Sequence, residues 1–186
     1  VIKELLTKIK DIGDSTPKKV NILVNVGDYQ VQGTIDNVFE SNLVLWRTGK
    51  ERAKDLVQVW LKHLFLVKSG NIDHSFLVCK EKDKIEPSTS VFKEINDLGS
   101  ILKTLIEWYL EGLNSFDSLC FFPETSKEYY EKYIQDQSKA EDAARKKWVS
   151  SNFSKGEGDD FYNKLIWREI DPLKKQVFED LSLRFW

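Results

Sequence analysis

The spacing of apolar residues changes once between Val20 and Phe65, and that change restricts the fold more than any other feature of the chain. Val20, Ile22, Val24 and Val26 alternate with other residues at period two, the side-chain period of a strand with one buried face, and Gly27-Asp28 then turns the chain back. Tyr29 to Phe39 continues as a second strand, Glu40-Ser41-Asn42 is a short polar break, and Leu43 to Thr48 is a third strand. From Gly49 to Val67 the period becomes helical: Leu56, Trp60 and Leu64 recur at four-residue steps beside Val57, Leu61 and Phe65. Strands joined by breaks this short predict an antiparallel meander followed at once by an amphipathic helix.

Flanking segments extend the pattern. Val1 to Lys10 places Ile2, Leu5, Leu6 and Ile9 at helical spacing before Gly13-Asp14-Ser15-Thr16-Pro17 breaks the chain. Ser75 to Lys80 reads as a fourth strand, the stretch around Pro87 as a polar loop, and Ile95 through Leu113 as a long helix ending near Gly112. Leu119 to Phe122 reads as a fifth strand, and Thr125 with Glu128 reads as a capping box opening the next helix. Beyond it the chain is helical and rich in aromatic residues, with breaks at Ser154 to Gly158 and at Pro172. Helix, meander, helix, strand, helix, strand and helices make a mixed α/β class.

Composition narrows the function classes. Hydrophobic residues at 41% and charged residues at 31% fit a globular domain and exclude a disordered chain. Apolar runs such as Leu64-Phe65-Leu66-Val67 are too short to cross a bilayer, and no charged leader precedes an apolar core, so neither membrane nor secretion is expected. Cys79 and Cys120 form no CxxC and stand near no histidine cluster, which argues against a disulfide framework or a zinc site and fits a reducing cytoplasm. A net charge of −2 supplies no global field for nucleic acid, so DNA contact must be local or come from other parts of an assembly. The chain contains no Met and opens on Val1, and we read it as a fragment of a longer protein.

One constellation carries chemistry. A meander with an acid on its second strand, (Asp/Glu)-x-Lys on its third and a helix directly after is the layout of restriction-endonuclease-like, PD-(D/E)xK nucleases. There two carboxylates hold Mg²⁺ and the lysine stabilises the attacking water and developing charge. Asp36, within Gly33-Thr34-Ile35-Asp36-Asn37, stands in the first acid position. The second motif falls on Leu45 and Arg47, which share a strand face. Leu45 has no ligand atom, and Arg47 is a permanently protonated donor expected to fork onto the remaining carboxylate, Asp36. The expected fold is therefore a PD-(D/E)xK core with a degenerate active site over 1–125, and a helical extension over 126–186 of the same domain, 1–186. A rescue would need an acid or lysine moved onto the following helix, where Lys50, Glu51 and Asp55 sit; the alternative reading is that Glu51 complements the helix end while Lys50 and Asp55 are solvated.

Other candidates have bland readings beside functional ones. His63 in an apolar helix and His74 in a turn lack a second ligand at a metal spacing, and Cys79 and Cys120 in apolar strands behave as small buried hydrophobes. Arg145, Lys146 and Lys147 beside Trp148 are candidate phosphate contacts, or else a solvated helix face. Gly156-Glu157-Gly158-Asp159-Asp160 suggests a metal loop, but glycine-flanked acids before a helix also serve as a turn with Asp159 or Asp160 as N-cap. No metal-binding residue is assigned.

Several motifs in order resemble one family. Trp60-Leu61-Lys62-His63-Leu64, then Leu105-Ile106-Glu107 with Tyr109 and Glu111-Gly112, then Phe122-Pro123-Glu124-Thr125-Ser126, and finally Lys155-Gly156-Glu157-Gly158-Asp159-Asp160 with Trp167-Arg168 resemble the carboxy-terminal, nuclease-like region of RecC, the gamma subunits of exodeoxyribonuclease V. The similarity runs from about residue 17 to 186, and the Gly-Glu-Gly-Asp-Asp run is its most specific element. The resemblance implies a non-catalytic subunit domain of a RecBCD-like complex that processes DNA double-strand ends for recombinational repair. It implies RecB-like and RecD-like partners, DNA within the complex, Mg²⁺ and ATP used by the partner subunits and no cofactor here. The reading from another class is a working Mg²⁺-dependent deoxyribonuclease with a migrated catalytic acid.

Overall fold

In the computed structural model, which describes residues 2–81, 84, 87–93 and 95–186, the period change at Gly49 is the pivot of the fold. Before it, β1 (Lys18–Val26), β2 (Tyr29–Phe39) and β3 (Asn42–Arg47) pair antiparallel in chain order. Gly27 takes φ 57° in the two-residue turn between β1 and β2, a left-handed conformation that favours glycine. Before β1 lies α1 (Ile2–Ile12); Val1, where the first helix was expected to begin, lies outside the described residues. The connection after β3 is α2 (Ala53–Lys68), which returns the chain so that β4 (His74–Cys79) runs parallel to β3. β5 (Ser88–Phe92) then pairs antiparallel with β4, completing a five-stranded sheet in the order β1-β2-β3-β4-β5.

Alternation along the strands sorts the core onto two faces. Leu43, Leu77 and Cys79 bury with Ile22, Ile35, Val38 and the α2 residues Val59 and Leu66 on one face. Their neighbours Val44 and Val78 bury with Phe39 and the α1 residues Leu5 and Ile9 on the other. α1 and α2 thus cover opposite faces of the sheet.

The chain divides into two compact units, Val1–Thr104 and Leu105–Trp186. The division falls within α3 (Leu98–Asn114). The second unit is helical: α4 (Pro123–Tyr133), α5 (Ala140–Trp148), α6 (Phe161–Trp167) and α7 (Gln176–Phe185) bury Cys120, Phe122, Tyr129, Ala144, Trp167 and Phe178 together. Phe122 is central, with the Trp148 ring at 4.5 Å, Trp167 edge-on at 6.0 Å and Phe178 at 6.3 Å. Among the described residues no helix is long and apolar enough to cross a membrane.

Three sequence expectations are corrected. The stretch after Pro87 is not a loop but β5, whose Ser88, Thr89 and Ser90 hid a strand among polar residues. Leu119 to Phe122 forms no strand; its apolar residues serve the helical core instead of a sheet. Thr125 does not cap α4, because the helix has already begun at Pro123 and Phe122 occupies the N-cap without a side-chain cap.

Candidate functional site

Asp36 sits in an irregularity of β2. Lys18 pairs with Val38 and Val20 with Ile35, so Asp36 and Asn37 together oppose Lys19, and Asn37 absorbs the extra residue at φ 62°. Ile35 and Val38 therefore face the same core although they are three residues apart. The bulge also aims Asp36 at α2, where Lys62 Nζ lies 3.4 Å from its Oδ1. Leu45 packs against the α2 side of the sheet. Arg47, two residues on, reaches the same helix, with its Nη1 3.5 Å from Asp55 Oδ2. All three motif positions look toward α2.

The expected pairing of Arg47 with Asp36 is corrected. Each takes its counter-charge from α2: Lys62 for the carboxylate, Asp55 for the guanidinium. Asp55, Val59, Lys62 and Leu66 follow one another at helical steps along the stripe of α2 that faces the sheet. Two charges on a core-facing stripe were the sequence signal for these residues, which motif reasoning on the strands missed. The Asp36–Lys62 pair is exposed and contributes at most about 1 kcal/mol. Asp55 Oδ2 is buried and accepts no hydrogen bond among the described residues, so its attraction to Arg47 is coulombic. Glu51, the other acid proposed for a rescued motif, accepts a hydrogen bond from the Ser90 hydroxyl. No group of three or more His, Cys, Asp or Glu side chains arranged to hold a metal ion occurs among the described residues.

Histidine and cysteine serve packing. His63 is fully buried, and both ring nitrogens are engaged: Nε2 lies 2.8 Å from the Lys93 carbonyl and Nδ1 2.9 Å from the Ser75 hydroxyl. A carbonyl can only accept, so Nε2 carries the proton and Nδ1 accepts from Ser75. Burial lowers the His63 pKa and keeps the ring neutral. Cys79 and Cys120 are free and buried, and burial pushes both thiols up to about 11.

In the helical unit, the candidate phosphate contacts are largely occupied. Arg145 lies 3.1 Å from Glu141 and 2.9 Å from Asp171, and Lys147 lies 3.3 Å from Glu128. Lys146 is exposed.

The Gly156–Asp160 run has a structural use for every residue. Glu157 projects onto the start of α4, where its carboxylate accepts from the N–H of Glu124 at 3.3 Å and of Thr125 at 2.8 Å. Pro123 has no N–H, so these are the first donors the helix offers. Burial pushes the Glu157 carboxyl above the usual range, against the lowering effect of the two amide donors. Asp159 pairs with Lys164 at 2.7 Å, and Asp160 accepts the Tyr162 N–H at 3.0 Å as the N-cap of α6. A Cβ at Gly156 would lie 2.4 Å from the Trp148 carbonyl oxygen, and one at Gly158 would lie 2.6 Å from the Trp148 indole, so only glycine allows the loop to close here.

The RecBCD enzyme subunit RecC of Buchnera aphidicola subsp. Schizaphis graminum is 24% identical over 184 residues, covering 93% of this chain and 17% of that protein. The RecBCD enzyme subunit RecC of Escherichia coli strain K12 is 25% identical over 168 residues, covering 84% of this chain and 14% of that protein. The chain thus spans about a sixth or less of the length of these relatives. The family profile for the RecC C-terminal domain matches residues 1–134, which contain the whole sheet, both helices that cover it and the start of the helical unit, and the chain therefore belongs to the RecC C-terminal domain family.

Proposed function

We propose that this chain is a pseudo-nuclease scaffold domain of a RecBCD-like exodeoxyribonuclease V, a cytoplasmic complex acting on DNA double-strand ends in recombinational repair. On this reading the domain is a PD-(D/E)xK core without catalysis. Its task is to hold RecB-like and RecD-like subunits and the DNA strands they work on, while Mg²⁺ and ATP serve those partners. The observation that carries it is the pair of residues on β3: Leu45 lies in the core contacts of α2, and Arg47 is tied to Asp55. A nuclease needs a carboxylate and a lysine at those positions, so the residues present do not fit a magnesium site. Any direct DNA contact falls to exposed cations such as Lys146, because Arg145 and Lys147 already face carboxylates.

The reading as an active deoxyribonuclease has one observation in its favour, the approach of Lys62 to Asp36, which returns a lysine to the acid from the helix instead of the strand. One experiment separates the two. The purified chain is incubated with labelled single- and double-stranded DNA and Mg²⁺ or Mn²⁺, and no cleavage is expected. Cleavage that disappears in Asp36→Ala overturns the scaffold reading. Co-purification with RecB-like and RecD-like subunits tests the scaffold role, and DNA titrations at two salt concentrations should show weak, strongly salt-dependent binding.

A further inference from the structure

The helical unit contains an open cleft of about 510 Å³ between the loop around Val149 and Asp159 and the helix α6. Trp148 and Trp167 line it, with Arg168 and Lys164 among the residues at its wall. That volume suits one or two inserted side chains of a ligand. We propose that the cleft takes an acidic segment of a partner protein, seating an apolar side chain against the two tryptophans and a carboxylate on Arg168. The proposal rests on the scaffold reading and names a place where such a partner is held.

The lining is formed in advance. Trp148 packs on Phe122 at 4.5 Å, Trp167 packs on Phe116 at 5.6 Å, and Gly158 is pressed against the Trp148 indole. Glu157 anchors the loop to α4, and the Asn163 amide donates to the Glu157 carbonyl at 2.9 Å. A rigid lining lowers the ordering cost of binding. Val149, 54% exposed, adds apolar surface.

Charge selects the ligand. Inside the cleft Lys164 and Asp159 satisfy each other, and the Ser150 hydroxyl donates to the same carboxylate. Arg168 is exposed and makes no ion pair among the described residues, so the cleft retains one uncompensated guanidinium suited to a carboxylate. A protein segment fits better than a single-stranded nucleic acid. Base stacking needs an open ring face, whereas Trp167 is only 7% exposed and Trp148 is half-buried.

The test uses this chain, labelled with ¹⁵N, and follows the indole N–H signals of Trp148 and Trp167 during titration with N-acetyl-glutamyl-phenylalaninamide. Both signals should shift with saturation, the lysyl-phenylalaninamide counterpart should bind more weakly, and Arg168→Glu should weaken the acidic peptide about tenfold, as expected for one lost charge-assisted contact. Arg168 is exposed, and an unchanged circular dichroism spectrum verifies the fold of the variant. Unmoved indoles, equal binding of the two peptides, or a stronger response of the same indoles to oligothymidylate each overturn the proposal. If the peptides fail while RecB-like and RecD-like subunits still co-purify, only the cleft assignment falls; failure of co-purification with the unmodified chain sinks the scaffold reading itself.

Discussion

The carboxylate of Glu157 stands 2.8 Å from the amide of Thr125, joining the loop before α6 to the first turn of α4 across 32 residues of chain. Two amide donors that would otherwise be orphaned at a partly buried helix start are served by one side chain. Glu157→Ala should therefore destabilise the chain by about 0.5–2 kcal/mol, the usual range for loss of an N-terminal cap. Urea unfolding monitored by tryptophan fluorescence measures it, and an unchanged midpoint would rule out the capping role.

One glycine of that loop and one in α3 form a contrast. Gly158→Ala drives a Cβ into the Trp148 indole and should cost about 1–3 kcal/mol through overpacking. Gly99→Ala meets nothing within 4 Å on a helix and should stabilise by about 0.5–1 kcal/mol. Opposite shifts in melting temperature are expected, and shifts of the same sign would contradict the close-approach account.

Arg47 and Asp55 are a structural pair. Removing Arg47 alone leaves a buried carboxylate oxygen without its cation, so Arg47→Ala should cost about 1–3 kcal/mol. Adding Asp55→Asn to that variant should recover part of the loss. A double-mutant cycle reads the coupling directly, and strict additivity would show that the two side chains do not interact.

His63 sets a pH dependence of known sign. Its pKa in the folded chain is held below the ordinary histidine value of 6.5 by burial, so the unfolded chain binds the proton more readily. Stability from this site is fully present above that ordinary value and declines as pH falls below it toward the folded value. Ser75→Ala removes the donor to Nδ1 and should cost about 1–2 kcal/mol at pH 7.5. Unfolding at pH 7.5 and 5.5, with the His63 ring followed by NMR, tests both statements; a ring that titrates normally in the folded protein would refute the burial account.

Much of the sheet was readable from the chain because short-range rules produce it. Alternation in β1, the two-residue turns and the switch to four-residue steps at α2 are local properties, and they place Leu45 and Arg47 toward one helix, whereas Asp36 reaches it through the bulge at Asn37. The partners of those residues were not readable on the strands. They come from Asp55, whose charge made it look solvated, and from Lys62, which no strand motif pointed to, although their spacing puts both on the core-facing stripe. β5 escaped notice because its backbone pairing with β4 owes little to its polar side chains. The cap of α4 was misassigned for the opposite reason: a local capping pattern was present, yet a carboxylate distant in sequence supplied the acceptor.

The mixed sheet also has an unequal seam. β1 and β2 pair along most of their length, while β2 meets β3 only at Val38–Leu43 and Phe39–Asn42. The outer ribbon is thus a nearly self-contained hairpin hung from the sheet by two residue pairs and the side chains beneath it. Such a ribbon can open as one cooperative unit at less free energy than global unfolding requires. Its amide protons should exchange together and ahead of those shared by β3 and β4, and the last barrier to that opening is the burial of Ile22, Ile35 and Val38 against the core.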